Sequence, residues 1–460
     1  MRTKDRPAAR SRWGTLGQRP EEDGGYFQNR DRSDDRDGDR QTADWKDEGR
    51  KEPAKQGKGA RLNRQAWLLL LVNGLFAAAN ALSGTFVNVY LWKVKNDFAM
   101  IGWFAFSHQI TMAFTFWLAG KWVKEGNKMN ALRLGVVSSA LFYLFVLFLE
   151  RAAADWIVAL GIVQGLASGF FWLAFNVVYF EITDPDNRDR FNGWAGLLGS
   201  GAGMIAPWVS GFVISQLPGN AGYRWIFGVS LAVFVLGAVV SFFLKKRKVE
   251  GTYDWLLGFR TLRVRGPWRP VFAALVAQGM REGVFGFIIG LLIYIATQNE
   301  MHIGNFSLIT SALALVSFFV VGRFIKPGYR KRGMLVGAAV MIGVILPFFW
   351  KLNYSTLLIF GIGTALFIPL YVIPMTSSVF DLIGKDEESA KQRVEYVVIR
   401  ELGLNVGRML GTLTFILVVT WTHSSPMAIN WLLLGIGSSP LLAWWFMRGR
   451  LAPVHRKEIR

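Results

Sequence analysis

Long apolar runs separated by short polar segments fill most of the chain, from Gln65 to Met447. Each run has about the 20 residues that a helix needs to cross a ~30 Å hydrocarbon layer. Backbone groups inside such a layer must pair within their own segment, so the runs are restricted to helices. The predicted spans are residues 65–92, 98–120, 129–149, 156–181, 194–216, 223–244, 269–296, 303–325, 333–351, 354–382, 394–421 and 427–447. The sequence therefore predicts an all-α membrane protein with twelve transmembrane helices.

The composition supports this class and excludes several kinds of site. Of the 460 residues, 52% are apolar, too many for a soluble chain with such long uncharged runs. Cysteine is absent and the four histidines are scattered, so neither a disulfide framework nor a thiolate metal site is available. We expect no metal and no cofactor.

Two loops of the chain share one pattern. Residues 120–128 read GKWVKEGNK and residues 322–330 read GRFIKPGYR, with glycine, cation, aromatic residue and lysine in the same order. The apolar runs before them also begin alike, at Ile101 and Ile303, so loop and span recur at an offset of 202 residues. A repeat of this length predicts two homologous halves.

The halves and their flanking segments define the predicted domain organisation. Its parts are a disordered charged cytoplasmic tail (1–64), a six-helix bundle (65–248), a cytoplasmic linker with an interfacial helix (249–268), a second six-helix bundle (269–447) and a basic cytoplasmic tail (448–460). The first tail has almost no apolar periodicity, so burial would not offset the entropy cost of ordering it. In the linker, Trp255, Phe259 and Leu262 fall at helical spacing, which predicts a short helix lying in the membrane interface.

The distribution of basic residues predicts the orientation. The formal net charge is +20, and most lysines and arginines of the short loops fall on the side that also holds both termini. This asymmetry predicts cytoplasmic termini. It also explains the charge without nucleic acid, because cations beside a bilayer pair with anionic lipid heads. We expect a monomeric, multi-pass protein of the plasma membrane, with membrane lipids and no nucleic acid among its partners.

Together these features resemble the major facilitator superfamily. Twelve spans in two halves, a long basic middle loop, and a short basic loop after the second and eighth spans match its plan over residues 65–447. The resemblance implies two pseudo-symmetric six-helix bundles and gating loops, marked here by Gly120, Lys124, Gly322 and Lys326. The family's loop carries an aspartate where this chain has the two lysines. The resemblance therefore implies a latch in which a cation seeks a carboxylate or a phospholipid.

Small residues recur at every fourth position on two spans. They are Gly199, Gly203, Pro207 and Gly211 on the fifth span and Gly403, Gly407 and Gly411 on the eleventh. Such strips let helix backbones approach closely. A related pattern on the fifth span is an antiporter motif in the superfamily, but there the proline directly follows a glycine. Helix packing is the favoured interpretation, and an antiporter signature is the alternative.

Charged residues inside spans cost roughly 2.5 to 3.5 kcal/mol each at the bilayer centre unless they are paired or hydrated. The arginines inside spans and their acidic companions are Arg281 and Glu282 on the seventh span and Arg400, Glu401 and Arg408 on the eleventh. Arg281 and Glu282 diverge by about 100° around their helix, so they do not simply neutralise each other. One of them is expected to face a partner helix or water.

On the eleventh span, Glu401, Asn405 and Arg408 follow i, i+4, i+7 and form one polar stripe. We predict a buried network that joins Glu282 to Arg400 or Arg408. One interpretation is that this network only holds the second bundle together. The other is that an arginine meets an anionic substrate while a glutamate accepts a proton, as intramembrane carboxylates do in carriers.

The spans of the first half are polar but almost uncharged. Asn73 and Asn80 lie on one face of the first span, and Gln164 and Asn176 on one face of the fourth. Hydrogen bonds between helices would explain isolated amides, but two such faces favour a solute path. His108 is the one histidine deep in a span. It is a candidate proton relay, because imidazole titrates near neutral pH, although packing is the commoner role.

Two prolines lie in the tenth span, Pro369 and Pro374. Proline removes a backbone donor and crowds the preceding turn, so the pair predicts a bend or a break in the helix. In a carrier, a bend at this place would suit a gate.

The sequence contains no phosphate-binding loop, nucleophile elbow or metal cluster, which argues against an enzyme and against an ATP-driven pump. We therefore expect a gradient-driven or facilitative carrier of a small solute. A proton-coupled exporter of drugs or metabolites is the favoured function. The alternatives are an uptake carrier for an organic anion, a lipid or glycolipid flippase, and a non-transporting receptor or assembly protein on the same fold.

Overall fold

The computed structural model describes residues 62–183, 185–245, 251–264, 266–325, 327–383 and 391–451. All of them belong to one compact unit, residues 58–460. The predicted charged tail lies outside the described residues up to position 61. So do Lys326 of the second gating loop and residues 452–460 of the basic tail.

Helices account for nearly all of the described residues. They are α1 Arg64–Lys95, α2 Phe98–Glu125, α3 Lys128–Leu149, α4 Ile157–Ile182, α5 Pro185–Gln216, α6 Ala221–Ser241, α7 Leu257–Arg263, α8 Trp268–Thr297, α9 Glu300–Phe324, α10 Arg330–Gly343, α11 Tyr354–Ile383, α12 Arg393–Trp421, α13 Pro426–Gly437 and α14 Ser439–Met447. Within the described residues, eleven segments are long and apolar enough to cross a membrane. The 28-residue α2, which carries His108 and Gln109 near its middle, is the twelfth crossing. The chain is thus an all-α, multi-pass membrane protein, as predicted.

Short polar turns start these helices and set their direction. The side chain of Asn63 accepts a hydrogen bond from N of Ala66 at the start of α1, and Asp97 accepts one from N of Ala99 in α2, each at 2.8 Å. These side chains satisfy backbone donors that a helix start leaves free. Loops of a few residues join successive crossings, so neighbours run antiparallel.

Two predicted spans, 333–351 and 427–447, are not continuous helices. Each is interrupted near a proline, Pro347 and Pro440, which lies in the first turn of the segment that follows. Proline lacks the N–H that continues a helix but is well suited to its first turn. The interruptions therefore follow from the sequence, although our predicted spans ignored them.

The tenth crossing, α11, is a continuous helix although it contains two prolines. Pro369 and Pro374 both lie inside the unbroken helix α11, so the predicted break is absent. The hydroxyl of Ser378 donates to the carbonyl oxygen of Pro374 at 2.8 Å, an ordinary bond to the residue four positions earlier in the helix.

The crossings form two pseudo-symmetric six-helix bundles. In the first, α1 packs against α5 and α6, α3 against α4 and α6, and α2 against α4. In the second, α8 packs against α12 and α14, and α11 against α9 and α10. The bundles meet mainly along two edges, α2 with α12 and α5 with α9. The sequence repeat relates α2 to α9 and α5 to α12, so the two edges are repeat equivalents.

We call the side on which α1 begins and α14 ends the terminal face, and the other side the opposite face. The turns after α2, α4, α9 and α11 and the linker that contains α7 lie on the terminal face. The turns after α1, α3, α5 and α8 lie on the opposite face.

Glycines allow α8 and α12 to touch. Gly403, Gly407 and Gly411 of α12 all face α8. A Cβ at Gly407 would overlap the carbonyl oxygen of Val276, and one at Gly403 would lie 3.1 Å from Cβ of Leu275. The backbones of the two helices are therefore in direct contact at Gly407 and Gly411, whereas Gly403 packs against side chains of α8.

The corresponding strip on α5 is in contact over only part of its length. A Cβ at Gly211 would lie 2.7 Å from the carbonyl oxygen of Glu300, and one at Gly203 would lie 3.9 Å from Oγ of Ser311 in α9. Pro207 lies between these two contacts. A Cβ at Gly199 would meet nothing within 4 Å. Gly199 is therefore not at a helix contact.

Candidate functional site

The close approach of α8 and α12 brings charged side chains of the two helices together. Nη2 of Arg408 lies 2.9 Å from Oε2 of Glu282. Nε2 of Gln278 donates to Oε1 of Glu282 at 2.7 Å, and Nη1 of Arg408 donates to Oδ1 of Asn405 at 3.2 Å. The side-chain amide of Gln278 thus binds Glu282, and that of Asn405 binds Arg408. Of the two arginines proposed as partners of Glu282, Arg408 is the one it meets.

This ion pair is half-exposed, so the prediction of a buried network is correct only in part. The Glu282 side chain is 38% exposed and that of Arg408 is 21% exposed. Gly283 lies in the contact between α8 and α12, where a Cβ would be 2.6 Å from Cα of Arg408. Its neighbour Glu282 is turned by about 100° away from that contact, toward the open side of the helix.

Arg400 belongs to a separate pair. Its Nη1 binds Oε1 of Glu401 on the same helix, and its guanidinium carbon lies 5.7 Å from the ring centre of Phe380 in α11. The proposed contact between Arg400 and Glu282 is therefore wrong. Nδ2 of Asn405 donates to the carbonyl oxygen of Glu401 at 2.9 Å, which joins this part of the stripe to the Arg408 pair.

Arg281 is the most buried of the three arginines inside spans. Its side chain packs over Phe285, with the guanidinium carbon 4.8 Å from the ring centre. Among the described residues, Nε and Nη2 of Arg281 have no hydrogen-bond partner, and the buried hydroxyl of Tyr371 in α11 has none either. Burying a cation without an acceptor is costly. Arg281 is consequently suited to receive an anionic group.

The first bundle contributes polar groups from α2. Nε2 of His108 lies 3.2 Å from Oγ of Ser168 in α4, which is the packing role that competes with a proton relay. Its neighbour Gln109 donates from Nε2 to the carbonyl oxygen of Gly283 at 3.3 Å. Gln109 therefore crosses to the second bundle, beside Glu282. We had not selected Gln109, although its place next to His108 in the middle of a span was a signal for it.

The other predicted polar residues of the first bundle lie apart from the ion pair. Asn73 is buried in α1, and Nδ2 of Asn80 donates to the carbonyl oxygen of Phe76 on its own helix at 2.9 Å. Gln164 and Asn176 are half-buried on α4. In the described part of the chain, no hydrogen bond joins these four amides to Glu282 or Arg408.

On the terminal face, Lys124 of α2 pairs with Glu395 of α12. Both side chains are nearly inaccessible, at 8% and 2% exposure. The backbone N of Asp254 donates to the same carboxylate oxygen at 3.2 Å, and the Tyr253 ring covers Gly120. Of the two partners that the latch hypothesis allows, a carboxylate or a phospholipid, Glu395 supplies the carboxylate. Sequence patterns do not single out Glu395, because a glutamate at a helix start is also typical of an ordinary cap.

The second gating loop lacks this cover. A Cβ at Gly322 would meet nothing within 4 Å, whereas one at Gly120 would lie 2.5 Å from the Tyr253 hydroxyl. Lys326, the repeat equivalent of Lys124, lies outside the described residues.

A second ion pair joins the bundles on the opposite face. Nζ of Lys93 in α1 lies 3.1 Å from Oε1 of Glu300 at the start of α9, and the Tyr223 hydroxyl of α6 donates to the same oxygen at 2.7 Å. Nζ of Lys93 also lies 5.1 Å from the Tyr223 ring centre. The sequence did not predict this cluster, because its members come from the ends of three separate helices.

The bundles touch between the central ion pair and the opposite face, since a Cβ at Gly102 of α2 would lie 2.6 Å from Cγ1 of Ile416 in α12. Glu282 itself remains partly exposed, next to the contact between Gln109 and Gly283. We call the space around this carboxylate the central cleft.

Comparison with known proteins agrees with this architecture. A family model described as Major Facilitator Superfamily matches residues 68–390. The Bacillus subtilis protein YqgE, described as uncharacterized, is 40% identical over 385 residues, which are 84% of this chain and 89% of YqgE. The Bacillus subtilis multidrug transporter protein MdtP is 23% identical over 190 residues, 40% of this chain and 34% of MdtP. The crystal structure of a D-xylose-proton symporter has a TM-score of 0.61 at 14% identity and covers 84% of this chain and 97% of its own, which reflects a shared fold.

Proposed function

Because the chain belongs to the Major Facilitator Superfamily, we propose that it is a secondary transporter that exports a small drug-like or metabolite solute by alternating access, coupled to protons. It is a carrier rather than an enzyme, as its relatives are. The basic loops of the terminal face support cytoplasmic termini, and we place the carrier in the plasma membrane. We propose that the cleft opens on the terminal face along α5 and α9, where a Cβ at Gly199 would meet nothing within 4 Å. The cleft then faces the cytoplasm, where an exporter takes up its solute.

The observation that carries the proposal is the half-exposed pair of Glu282 and Arg408. Both groups lie in the interior of membrane-length helices, where charges are retained mainly for function. A pair serving only as a scaffold would be expected to lie within the α8–α12 contact, as the glycines do. Instead Glu282 is open to the cleft and is bound by Gln278. Gln109 of the first bundle reaches the same turn of α8.

Proton coupling follows from competition for one carboxylate. In the outward-open state a proton neutralises Glu282 and displaces a cationic group of the solute, which leaves the cleft. In the inward-open state Glu282 loses the proton and again attracts a cation. Arg408 keeps the unoccupied carboxylate paired, so the charge is never left alone in the cleft. The identity to the multidrug transporter MdtP supports this choice of solute class.

Uptake of an organic anion is the second candidate, and Arg281 favours it. Among the described residues its Nε and Nη2 have no acceptor, so an anionic solute would supply the missing partner. Protonation of Glu282 would then also release Arg408 to the anion, and proton and anion would move together. The two candidates therefore differ in the direction of flux that an imposed pH gradient drives.

The test uses purified protein in proteoliposomes with an imposed pH gradient, with ethidium as the cationic probe and salicylate as the anionic probe. Export predicts ethidium flux against the proton movement, and Glu282→Gln abolishes its dependence on the gradient. Anion uptake predicts salicylate flux along the proton movement, lost in Arg281→Gln. Asp381→Asn is the matched control, because Asp381 is an exposed carboxylate that pairs with Arg330 at the terminal face. If a carried probe moves equally well in Glu282→Gln and Arg408→Ala, the ion pair is a scaffold and the coupling mechanism is wrong.

A further inference from the structure

A second pocket lies outside the central cleft, beneath the linker on the terminal face. Its volume is about 220 Å³. The linker with α7 forms one wall, α2 contributes Trp117, α8 contributes Phe272, and α12 contributes a wall that begins with Glu395. The pocket therefore lies where both bundles and the linker meet, at the closed edge of α2 and α12.

The carboxylate of Glu395 is only partly satisfied. Its Oε1 accepts hydrogen bonds from Nζ of Lys124 and from the backbone N of Asp254. Its Oε2 is buried and has no hydrogen-bond partner among the described residues. The Glu395 side chain is 2% exposed, so bulk water does not compensate for the missing bond. A buried acceptor of this kind costs about 1–3 kcal/mol unless a donor reaches it.

Aromatic rings line the rest of the pocket. Trp117 and Trp255 meet edge to face with ring centres 5.4 Å apart, and Trp255 lies 5.2 Å from Tyr253. Phe272 closes the side toward α8, and Phe259 of α7 stands at the rim, where it is 64% exposed. Aromatic faces attract cations as well as apolar rings.

The pocket also offers an acceptor to a positive ligand. Asp254 lines it, with its carboxylate bound by Arg260 at 2.7 Å. Burial raises the pKa of the Tyr253 hydroxyl, and the nearby negative charges of Glu395 and Asp254 raise it further. Lys124 and Arg260 balance the two carboxylates, so the unpartnered Oε2 of Glu395, rather than a net negative charge, is the feature that favours a cationic donor.

We propose that this pocket binds a small organic cation, an ammonium group attached to one or two aromatic rings. The ammonium donates to Oε2 of Glu395, and the rings pack between Trp117, Trp255 and Phe272. Drug-sized ligands occupy pockets of about 300–1,000 Å³, so a pocket of about 220 Å³ admits only a smaller molecule. A phospholipid ammonium fits less well, because its phosphate would approach the carboxylates of Glu395 and Asp254.

Such a ligand would hold the two bundles together. Trp117 belongs to the first bundle, whereas Phe272 and Glu395 belong to the second, so one occupant contacts both. Binding stabilises the conformation in which the edge of α2 and α12 is closed on the terminal face, because the site is incomplete once the helices separate. The site is distinct from the cleft around Glu282, and its existence does not depend on the proposed transport function.

The test is isothermal titration calorimetry of the full-length protein, in detergent with phosphatidylcholine as the added lipid. The probes are 1-naphthylmethylamine and its neutral counterpart 1-naphthylmethanol. We expect the amine to bind about tenfold to a hundredfold more tightly, which is the ratio expected for a hydrogen bond to a charged group. Equal affinity of the two probes, or no binding of the amine, overturns the proposal.

Variants locate the site. Trp117→Ala is expected to weaken amine binding by about tenfold, while Trp103→Ala, an exposed tryptophan elsewhere on α2, leaves it unchanged. The double variant Lys124→Met/Glu395→Gln keeps the net charge and removes the preference for amine over alcohol. If Glu282→Gln removes amine binding instead, the amine occupies the central cleft and the proposal is wrong. Parallel titration with phosphatidylethanolamine as the lipid tests lipid occupancy, and competition by that lipid would contradict a site for small cations.

Discussion

The two edges that join the bundles are related by the sequence repeat, yet they differ in contact. The edge of α2 and α12 is closed over its whole length, from Gly102 near the opposite face to the buried pair of Lys124 and Glu395 on the terminal face. The edge of α5 and α9 is closed at Gly211 but open around Gly199. Repeat symmetry thus relates the helices that meet, and partners that the repeated loops do not include, Glu395 and Tyr253, hold the α2–α12 edge together on the terminal face.

This difference suggests how the cleft changes its access. The α2–α12 edge is held by a desolvated ion pair and covered by the linker, so we expect it to separate less readily than the α5–α9 edge. We therefore expect substitutions at the closed edge and on α12 to affect stability, and equivalent substitutions at the open edge and on α5 to be tolerated.

The largest difference is expected between Gly407→Val and Gly199→Val, which occupy corresponding small-residue strips on α12 and α5. A side chain at Gly407 overlaps the Val276 carbonyl, whereas one at Gly199 meets open space. Gly407→Val should cost more than about 4 kcal/mol and give little folded protein, and Gly199→Val should change stability by about 0.5 kcal/mol or less. Size-exclusion profiles and thermal unfolding measure this. If the two variants were equally stable, the difference in packing between Gly407 and Gly199 would be contradicted.

The next effect is expected at the buried pair of the closed edge. Lys124→Met or Glu395→Leu alone leaves one desolvated charge without its partner and should cost about 3–5 kcal/mol. The double variant Lys124→Met/Glu395→Leu removes both charges and should be within about 1 kcal/mol of the wild type. Thermal unfolding of the three variants gives the coupling between the residues. Additive losses would show that the pair does not act as a unit.

A smaller effect is expected at the opposite face, where Lys93 is partly exposed and the ion pair is therefore weaker. Lys93→Met should loosen that face without unfolding the protein. The chain has no cysteine, so a single engineered cysteine reports access without background. Thr85→Cys, which packs against Gly290 between the bundles, should be labelled by a maleimide about fivefold faster when Lys93 is Met. Lys95→Met is the control, because its exposed pair with Asp155 lies on the same face but within the first bundle. If Thr85→Cys is labelled equally fast with and without Lys93→Met, then Lys93 does not help to close the opposite face.

Sequence alone predicted the crossings and the two bundles, because apolar length and repeat spacing are local properties. It also placed Asn405 and Arg408 on one stripe, since helical periodicity fixes which residues share a face. It did not predict that Glu282 would be half-exposed, because exposure depends on how far the neighbouring helices separate. The partners Glu395 and Glu300 were missed for a related reason. Each lies at a helix start, where an acidic residue is favoured whether or not it has a distant cation.

The smallest difference is expected between Gly120→Ala and Gly322→Ala in the two repeated loops. Both glycines lie near the end of a helix, so alanine gains similar helix propensity, up to about 1 kcal/mol, at each. At Gly322 nothing opposes that gain, and the variant should be slightly more stable. At Gly120 the new methyl group lies 2.5 Å from the Tyr253 hydroxyl, and the ring must move although Glu125 holds the backbone N of that residue at 2.7 Å. The gain should therefore be cancelled, and thermal unfolding should separate the two variants by about 1 kcal/mol. In a Tyr253→Ala background the ring is removed, and both substitutions should be equally stabilising. If the two variants still differ in stability there, the contact with Tyr253 is not the cause of the difference between the loops.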